Sequence, residues 1–173
     1  MKVTLFMAMS LNGIIARDNN EEDFLSHYGW EYFCKLAKKT GCFIIGRKTY
    51  DIVKDLYEGY GFDKLKEIVK VIVTRDRKFK IDNIYTIANS PGDALRKLKA
   101  QGFKETLLSG GSTINSSFAK ENLIDEVIIN IEPVIVGKGI PIFKLDYFDL
   151  NLKLLSIKRY EKSGITVKYS VMK

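Results

Sequence analysis

The sequence contains few of the residues from which metal sites and disulfide frameworks are built. Its 173 residues include one histidine, His27, and two cysteines, Cys34 and Cys42. Two isolated cysteines cannot form a metal cluster, so we expect no bound metal. The same shortage excludes a disulfide-rich secreted domain, and we expect both cysteines to be buried free thiols.

Long hydrophobic runs are also absent. The apolar N-terminal run, residues 3–9, is too short to cross a membrane and lacks the small-residue cleavage site of a signal peptide. Only three prolines occur, and 46% of the residues are hydrophobic, as in globular rather than disordered chains. We therefore expect a cytoplasmic protein with a single domain over residues 1–173.

The formal net charge is +7, yet there is no block of like charge and no basic run interleaved with aromatic residues. A basic protein can bind nucleic acid, anionic membranes or phosphorylated small molecules. Here the basic residues are spread over the whole chain, which is typical of a solvated surface. We expect the surplus to attract a phosphorylated cofactor, and we expect neither nucleic acid nor a membrane as a partner.

Apolar periodicity predicts strands that alternate with helices along most of the chain. The predicted strands are residues 3–9, 14–16, 42–45, 69–73, 83–88, 105–108, 125–132, 150–160 and 165–172. The predicted helices are residues 28–39, 47–56, 90–101 (with Ser90 as N-cap) and 113–120, and a loop surrounds Gly59 and Gly61. This order predicts a three-layer α/β/α fold whose sheet is mostly parallel, with an antiparallel strand pair at the C-terminal end.

Two of the predicted strands run through glycine turns directly into helices. The turns are Gly46-Arg47-Lys48-Thr49 and Ser109-Gly110-Gly111-Ser112. The first backbone N–H groups of a helix lack partners within it, and glycine allows close approach, so such turns suit phosphate groups. A lone glycine pair after a strand is more often a plain tight turn. The occurrence of several such strand ends in one chain is what favours a phosphate site.

Other phosphate-binding patterns are weaker or missing. Thr74-Arg75 ends a strand with a hydroxyl and a guanidinium, which suits bidentate phosphate binding. The Gly-x-Gly-x-x-Gly fingerprint and the Walker A motif are both absent. Gly137-Lys138-Gly139 is equally well explained as a bend between strands.

The ordered series of these motifs resembles the riboflavin-biosynthesis reductase (RibD C-terminal) domain of the dihydrofolate reductase-like superfamily. The resemblance covers nearly the whole chain and is carried by Ser10-Leu11-Asn12-Gly13, the two glycine turns, Thr74-Arg75 and the segment from Glu132 to Gly139. It implies an NADPH-dependent homodimer that transfers hydride to 5-amino-6-(5-phosphoribosylamino)uracil and so reduces its ribosyl group.

The resemblance also implies roles for individual residues. The cofactor's phosphates would meet Gly46, Arg47, Lys48 and Thr49 at the first turn, and Gly110, Gly111, Ser112 and Thr113 at the second. Thr74 and Arg75 would meet the adenosine 2′-phosphate, which favours NADPH over NADH. The nicotinamide and substrate would be lined by Met9, Ser10, Asn12, Pro133 and Val134.

The chain departs from the family pattern at two carboxylates. Asn12 stands where the family usually has Asp, and Ser109 where it usually has Glu, and neither can carry a proton at neutral pH. Asn12 and Glu31 are the candidate catalytic residues. Glu31 lies close to the offset at which the related dihydrofolate reductases carry a substrate carboxylate, although an exposed first-turn glutamate that complements the helix dipole is the favoured explanation. His27, just ahead of that helix, fits a surface or capping role better than catalysis.

These departures keep two other functions open. One is a reductase of the same superfamily that acts on dihydrofolate, another pterin or an unrelated small carbonyl compound. The other is a non-catalytic module that binds nucleotides or RNA, which the scattered lysines argue against.

Overall fold

The computed structural model describes residues 1–56, 61–81, 84–160 and 163–173. Ten strands and four α-helices lie in these ranges. The strands are β1 Lys2–Ser10, β2 Ile14–Ala16, β3 Cys42–Gly46, β4 Val69–Val73, β5 Tyr85–Ala88, β6 Glu105–Leu108, β7 Glu126–Glu132, β8 Ile140–Pro141, β9 Asn151–Tyr160 and β10 Gly164–Met172. The helices are α1 His27–Thr40, α2 Arg47–Leu56, α3 Pro91–Ala100 and α4 Ser112–Lys120, and a short 3₁₀ helix spans Phe62–Lys64.

The main sheet has eight strands in the order β5-β4-β3-β6-β1-β7-β10-β9. All pairs from β5 to β7 are parallel, whereas β10 runs antiparallel to both β7 and β9. The predicted mostly parallel sheet with a C-terminal antiparallel pair is therefore confirmed. A small second sheet pairs β2 with β8, and the sequence had not predicted β8.

Two apolar cores on opposite faces of the sheet produce the three layers that the sequence predicts. One core joins the inward side chains of α3 and α4, such as Leu98 and Phe118, to Leu5 and Ile129 of the sheet. The other core joins Phe33 and Ala37 of α1 to the opposite face, and side chains of α2 pack against it. Strand residues alternate between the two cores, because successive side chains of a strand point to opposite faces.

Local signals explain where several elements begin and end. The Ser90 hydroxyl accepts the Asp93 N–H at 3.2 Å, which confirms the predicted N-cap of α3. Gly41 follows α1 with φ +69°, a left-handed conformation that favours glycine, and its N–H donates to the carbonyl of Ala37.

Other boundaries differ from the predictions. Asp125, predicted as the first residue of β7, lies outside the strand and accepts the Val3 N–H through its carboxylate at 2.8 Å. Helix α4 begins one residue earlier than predicted, at Ser112. The predicted loop residue Gly59 and strand residue Asn83 lie outside the described residues.

Both cysteines are free thiols, but only Cys42 is fully buried. Burial raises the pKa of the Cys42 thiol to about 11, which keeps it protonated and unreactive. Cys34 is only partly buried, on the flank of α1, so the prediction of two buried thiols is wrong for this residue.

Candidate active site

The two glycine turns meet at the carboxyl edge of the sheet. Strands β3 and β6 are parallel neighbours, so the turns that follow them lie side by side. The Gly46 N–H donates to the carbonyl of Gly110 at 2.8 Å, and the Ser109 N–H donates to the carbonyl of Ile44 at 2.9 Å. Two turns separated by more than sixty residues in the sequence therefore form one continuous structure.

Glycine is required in the second turn for steric and conformational reasons. Gly110 has φ +79°, and a Cβ placed on it would lie 2.8 Å from Sδ of Met7. A Cβ on Gly111 would lie 3.2 Å from Oγ1 of Thr49, so the second turn packs directly on the first turn of α2. The peptide bond between the two glycines is cis.

Two helix N-termini open at this junction. Helix α2 begins at Arg47, directly after Gly46, and α4 begins at Ser112, directly after Gly111. The N-cap of α4 is Gly111, which has no side chain to accept the first N–H groups, and Thr113 at the second position is exposed. Backbone N–H groups and helix dipoles of this kind favour an anion.

Arg47 connects the first glycine turn to the loop after β4. Its guanidinium donates to Asp51 and to Asp76, each at 3.1 Å, and lies 5.5 Å from the ring centre of Phe79. The Asp76 N–H in turn donates to the hydroxyl of Thr74 at 3.1 Å. Asp76, which was not among the predicted site residues, thus links the predicted residues Arg47 and Thr74.

The other predicted cations at this edge extend into solvent. Lys48 is exposed on the first turn of α2, and Arg75 is exposed in the loop next to Thr74. Both lie at the ends of adjacent parallel strands, β3 and β4, where ligands of open α/β sheets gather.

Asn12 joins the turn after β1 to the loop that follows β7. Its Nδ2 donates to the carbonyl of Val136 at 2.8 Å, and its Oδ1 accepts the Val136 N–H at 3.1 Å. The Ser10 hydroxyl donates to the same Oδ1 at 2.8 Å, and the Leu11 N–H donates to the carbonyl of Val134 at 2.8 Å. The side chain of Asn12 therefore holds the 133–139 loop against the end of β1.

The remaining predicted substrate residues lie at the same place. Met9 is half-buried near the end of β1, paired in register with Ile131 of β7. Pro133 is exposed and Val134 half-buried at the start of the loop that Asn12 holds. The structure thus brings together the residues that the resemblance assigns to the substrate.

Glu31 is not brought to these turns. The buried residues of α1 are Gly29, Phe33 and Ala37, and Glu31 lies on the opposite, solvent-facing side with its side chain 66% exposed. Its Oε1 is 3.4 Å from Nε2 of His27. The surroundings of Glu31 are those of a surface glutamate.

Two other carboxylates lie deeper, and the sequence reading missed both. Glu132 ends β7 opposite Ser10 in register and is only 4% exposed, and its Oε1 accepts the N–H and the hydroxyl of Ser26 at 3.1 and 2.7 Å. Burial raises the pKa of Glu22, in the loop before α1, to about 7. A charged residue closing an apolar strand was the available signal for Glu132, whereas nothing in the polar segment around Glu22 marked that residue.

Asn115 on α4 adds a buried polar group behind the second glycine turn. Its Nδ2 donates to the carbonyl of Ile142 at 2.9 Å, and its backbone N–H donates to the carbonyl of Gly111 at 3.0 Å. Its Oδ1 is buried without a hydrogen-bond partner among the described residues. A buried acceptor of this kind is uncommon in folded proteins.

Within the described ranges, no helix is long and apolar enough to span a membrane. The same ranges contain no group of three or more His, Cys, Asp or Glu residues that could hold a metal ion.

The sheet order, the two joined glycine turns and the helices on both faces define a mixed α/β domain with the fold of the riboflavin-biosynthesis reductases. The chain belongs to the RibD C-terminal domain family, whose family model matches residues 1–166.

Known proteins support this assignment. The uncharacterized protein YwjB of Bacillus subtilis (strain 168) is 26% identical over 162 residues, which cover 92% of each chain. A crystal structure of a putative riboflavin biosynthesis protein from Shewanella sp. PV-4 matches with a TM-score of 0.82 and 22% identity over 100% of both chains. A diaminohydroxyphosphoribosylaminopyrimidine deaminase/5-amino-6-(5-phosphoribosylamino)uracil reductase from Thermotoga maritima matches with a TM-score of 0.75 and 18% identity, and this match covers 99% of the present chain but 56% of that protein.

Proposed function

We propose that this protein is an NADPH-dependent reductase. The observation that carries the proposal is the direct contact between the two glycine turns, where the Gly46 N–H donates to the carbonyl of Gly110 and two helix N-termini open beside each other. Two adjacent anion sites of this kind match the linked phosphates of a dinucleotide.

The residues present fit that cofactor. Glycine at 110 and 111 lets the second turn pack closely against Met7 and Thr49, so the N-terminus of α4 lies beside that of α2. We assign the phosphates to Gly46, Arg47, Lys48 and Thr49 and to Gly110, Gly111, Ser112 and Thr113, and the 2′-phosphate to Thr74 and Arg75. When bound, the cofactor supplies the hydride.

The protein's part is to orient the substrate and exclude water. Met9, Ser10, Asn12, Pro133 and Val134 would line the nicotinamide and substrate, and the Asn12 contacts with Val136 would hold this wall in place. Asn12 cannot release a proton at neutral pH, so a carboxyl group or water has to provide one. Glu132, opposite Ser10 in register, is a buried carboxylate at this edge.

The substrate we propose is 5-amino-6-(5-phosphoribosylamino)uracil, the compound named for the Thermotoga maritima relative. Membership of the RibD C-terminal domain family supports this choice. A panel that follows NADPH oxidation with this compound, dihydrofolate and simple carbonyl compounds tests it. Turnover of dihydrofolate without turnover of the aminouracil would make dihydrofolate, rather than the aminouracil, the favoured substrate.

Binding of the cofactor is tested first, by thermal unfolding with and without NADPH. A ligand at a hundred times its Kd stabilises the folded state by about 2.7 kcal/mol, which raises the unfolding temperature measurably. Arg75→Ala removes a charged hydrogen bond worth about 1.5–3 kcal/mol, so Kd should rise about ten- to a hundredfold. Arg77→Ala, two residues along the same loop, is the control for net charge and should change Kd little. Equal weakening by both variants would show that only general charge attracts the cofactor.

We also propose that the protein works as a homodimer in the cytoplasm. The free state of both Cys34 and Cys42 supports a reducing compartment. The exposed apolar side chains of β9 support a dimer, because such side chains are seldom left in water in this number.

A further inference from the structure

Glu132 lies on the side of the sheet that α1 covers. Ile128 of the same strand, β7, belongs to the core that Phe33 and Ala37 of α1 share. Because the side chains of a strand alternate between its two faces, Asn130 and Glu132 point to the same side as Ile128. Glu132 is the last residue of β7, so its carboxylate stands at the carboxyl edge of the sheet, where the strand ends of the proposed site lie.

Glu132 is a buried carboxylate without a cationic partner. It is 4% exposed, and within the described ranges no lysine, arginine or histidine forms an ion pair with it. The other buried carboxylate, Asp93, pairs with both Arg96 and Lys97. A buried charge without such a partner costs free energy, and proteins break this rule mainly at functional sites.

The protein engages only one oxygen of this carboxylate. Oε1 accepts the N–H and the hydroxyl of Ser26 at 3.1 and 2.7 Å. Among the described residues, none donates a hydrogen bond to Oε2. Ser26 is the N-cap of α1, yet its hydroxyl makes no capping bond to the helix and serves Glu132 instead. One oxygen therefore fixes the carboxylate against the start of α1, and the other is available to a ligand.

A second polar group on the same face also lacks a partner. Asn130 is fully buried two residues before Glu132, and its Oδ1 accepts the Thr166 hydroxyl at 2.7 Å. Its Nδ2 is buried with no hydrogen-bond partner in the described part of the chain. Residues two apart on a strand are separated by about 7 Å. An unpaired donor thus lies next to an unpaired acceptor, beneath the start of α1.

The positions at which a site carboxylate was expected do not provide one. Asn12 is an amide that pairs with Val136, and the hydroxyl of Ser109 donates to the carbonyl of Phe6 at 3.3 Å. Glu31 is a carboxylate, but it lies on the solvent side of α1. Glu132 is in register with the last residue of β1, two residues before Asn12, so it reaches the same edge from the neighbouring strand.

We propose that Glu132 is the substrate-binding carboxylate of this chain, in place of those absent at positions 12 and 109, and that Asn130 donates a second hydrogen bond beside it. The matching ligand carries an N–H or O–H group next to an acceptor oxygen. Both the uracil ring and the ribose hydroxyls of the proposed substrate have this chemistry, whereas a simple carbonyl compound has only the acceptor. The proposal rests on the reductase function proposed above and names residues that select its substrate.

The test is Glu132→Gln, because glutamine keeps an oxygen for Ser26 and replaces only Oε2 by a donor. With 5-amino-6-(5-phosphoribosylamino)uracil, kcat/KM for NADPH oxidation should fall about ten- to a hundredfold, while the Kd of NADPH stays the same. The free energy of unfolding should not fall, since the change removes a buried unpaired charge. Glu126→Gln is the control on the same strand and face. It breaks the ion pairs with Lys2 and Lys168 and should keep the wild-type kcat/KM.

Titration of uracil and of ribose 5-phosphate into the protein loaded with NADP⁺ shows which part of the substrate Glu132 holds. Binding of one of the two should weaken in Glu132→Gln and not in Glu126→Gln. Loss of stability in parallel with activity would give Glu132 a structural role only, and unchanged kcat/KM and unchanged binding of both compounds would overturn the proposal. In either case, NADPH binding by the wild type would leave the reductase proposal standing. A wild type that does not bind NADPH would overturn that proposal and this one together.

Discussion

At the scale of single residues, Asn12 shows why an amide stands where related reductases usually have a carboxylate. Its Nδ2 and Oδ1 pair with the carbonyl and the N–H of Val136, and an amide can donate to one and accept from the other, whereas an ionised carboxylate can only accept. An aspartate would place its charge against the Val136 carbonyl. The departure from the family pattern thus has a structural cause, whatever contact Asn12 makes with substrate.

Asn12→Asp should therefore destabilise the fold at neutral pH by about 1–2 kcal/mol, the cost of an unmatched acceptor. The deficit should shrink as the pH falls and the new carboxyl group becomes able to donate. Urea denaturation at pH 7 and pH 4 measures both values, with Asn12→Ala as the control that has no titratable group. Equal stability of Asn12→Asp and the wild type at pH 7 would contradict the role assigned to the amide.

Asp76 accepts a hydrogen bond from the Arg47 guanidinium at 3.1 Å, so it would compete with the phosphate that we propose for Arg47. We predict that Asp76→Asn tightens NADPH binding by up to about fivefold, the effect of removing one exposed charge pair worth up to about 1 kcal/mol. NADH carries the same diphosphate as NADPH, so its binding should tighten by a similar factor. Fluorescence titration gives the Kd of both cofactors, and an unchanged Kd for both would mean that Arg47 does not meet the diphosphate.

Glu22 should make stability fall as the pH rises. The pKa of Glu22 is about 7 in the folded state, against an ordinary value of 4.5. Between pH 4.5 and pH 7, the folded protein therefore keeps a proton on Glu22 that the unfolded chain has released. The free energy of unfolding therefore decreases from about pH 4.5 to about pH 7, by up to about 3 kcal/mol, and then levels off. Glu22→Gln should remove this slope and be more stable than the wild type at pH 8, whereas Glu21→Gln, at an exposed neighbour, should keep it. Denaturation curves of the wild type and both variants between about pH 4.5 and pH 8 measure how the free energy of unfolding of each depends on pH.

At the scale of elements, the second glycine turn connects β6 to α4, so the placement of both depends on its conformation. Gly110→Ala should destabilise the protein by about 1–2 kcal/mol, because φ +79° is unfavourable for any residue with a Cβ. The contact with Met7 adds to this, although a flexible side chain can move away. Gly137→Ala is the matched control, since a Cβ there meets nothing within 4 Å, and its effect should stay within about 0.5 kcal/mol. Thermal unfolding of the two variants provides the comparison.

Elements with strong local signals could be predicted from the sequence, and those fixed by distant partners could not. The glycine that ends α1 and the Ser90 cap of α3 depend only on residues that are close in the sequence, and both predictions are confirmed. Strand β8 exists only because Ile140 and Pro141 pair with β2, more than a hundred residues earlier. A bulge in β9 at Leu155 likewise follows from register with β10, which alternation within β9 does not reveal.

The site shows the same division. The glycine turns and their helices were predicted because each is a local strand–turn–helix unit, and the sheet order then placed them in contact. Glu132 and Asp76 were missed because their importance comes from Ser26 and Arg47, which are distant in the chain. Glu31 was a candidate by its sequence position, but the structure places it on the solvent side of α1.

At the scale of the whole molecule, charge and apolar surface are segregated. The lysines of the β9–β10 pair lie on one face and the leucines of β9 on the other. The proposed cofactor site lies elsewhere, at the carboxyl ends of β3, β4 and β6. Substitutions on the apolar face of β9 should therefore leave cofactor binding unchanged.

The central claim is that the two joined glycine turns bind NADPH, and backbone amide NMR shifts during an NADPH titration test it most directly. We predict saturable shifts of the Gly46, Gly111 and Ser112 amide signals, accompanied by Arg75 and absent from β9. Saturation of these signals at one common Kd would show that both turns hold a single ligand. No shift at millimolar NADPH, or shifts confined to residues away from the two turns, would contradict the account.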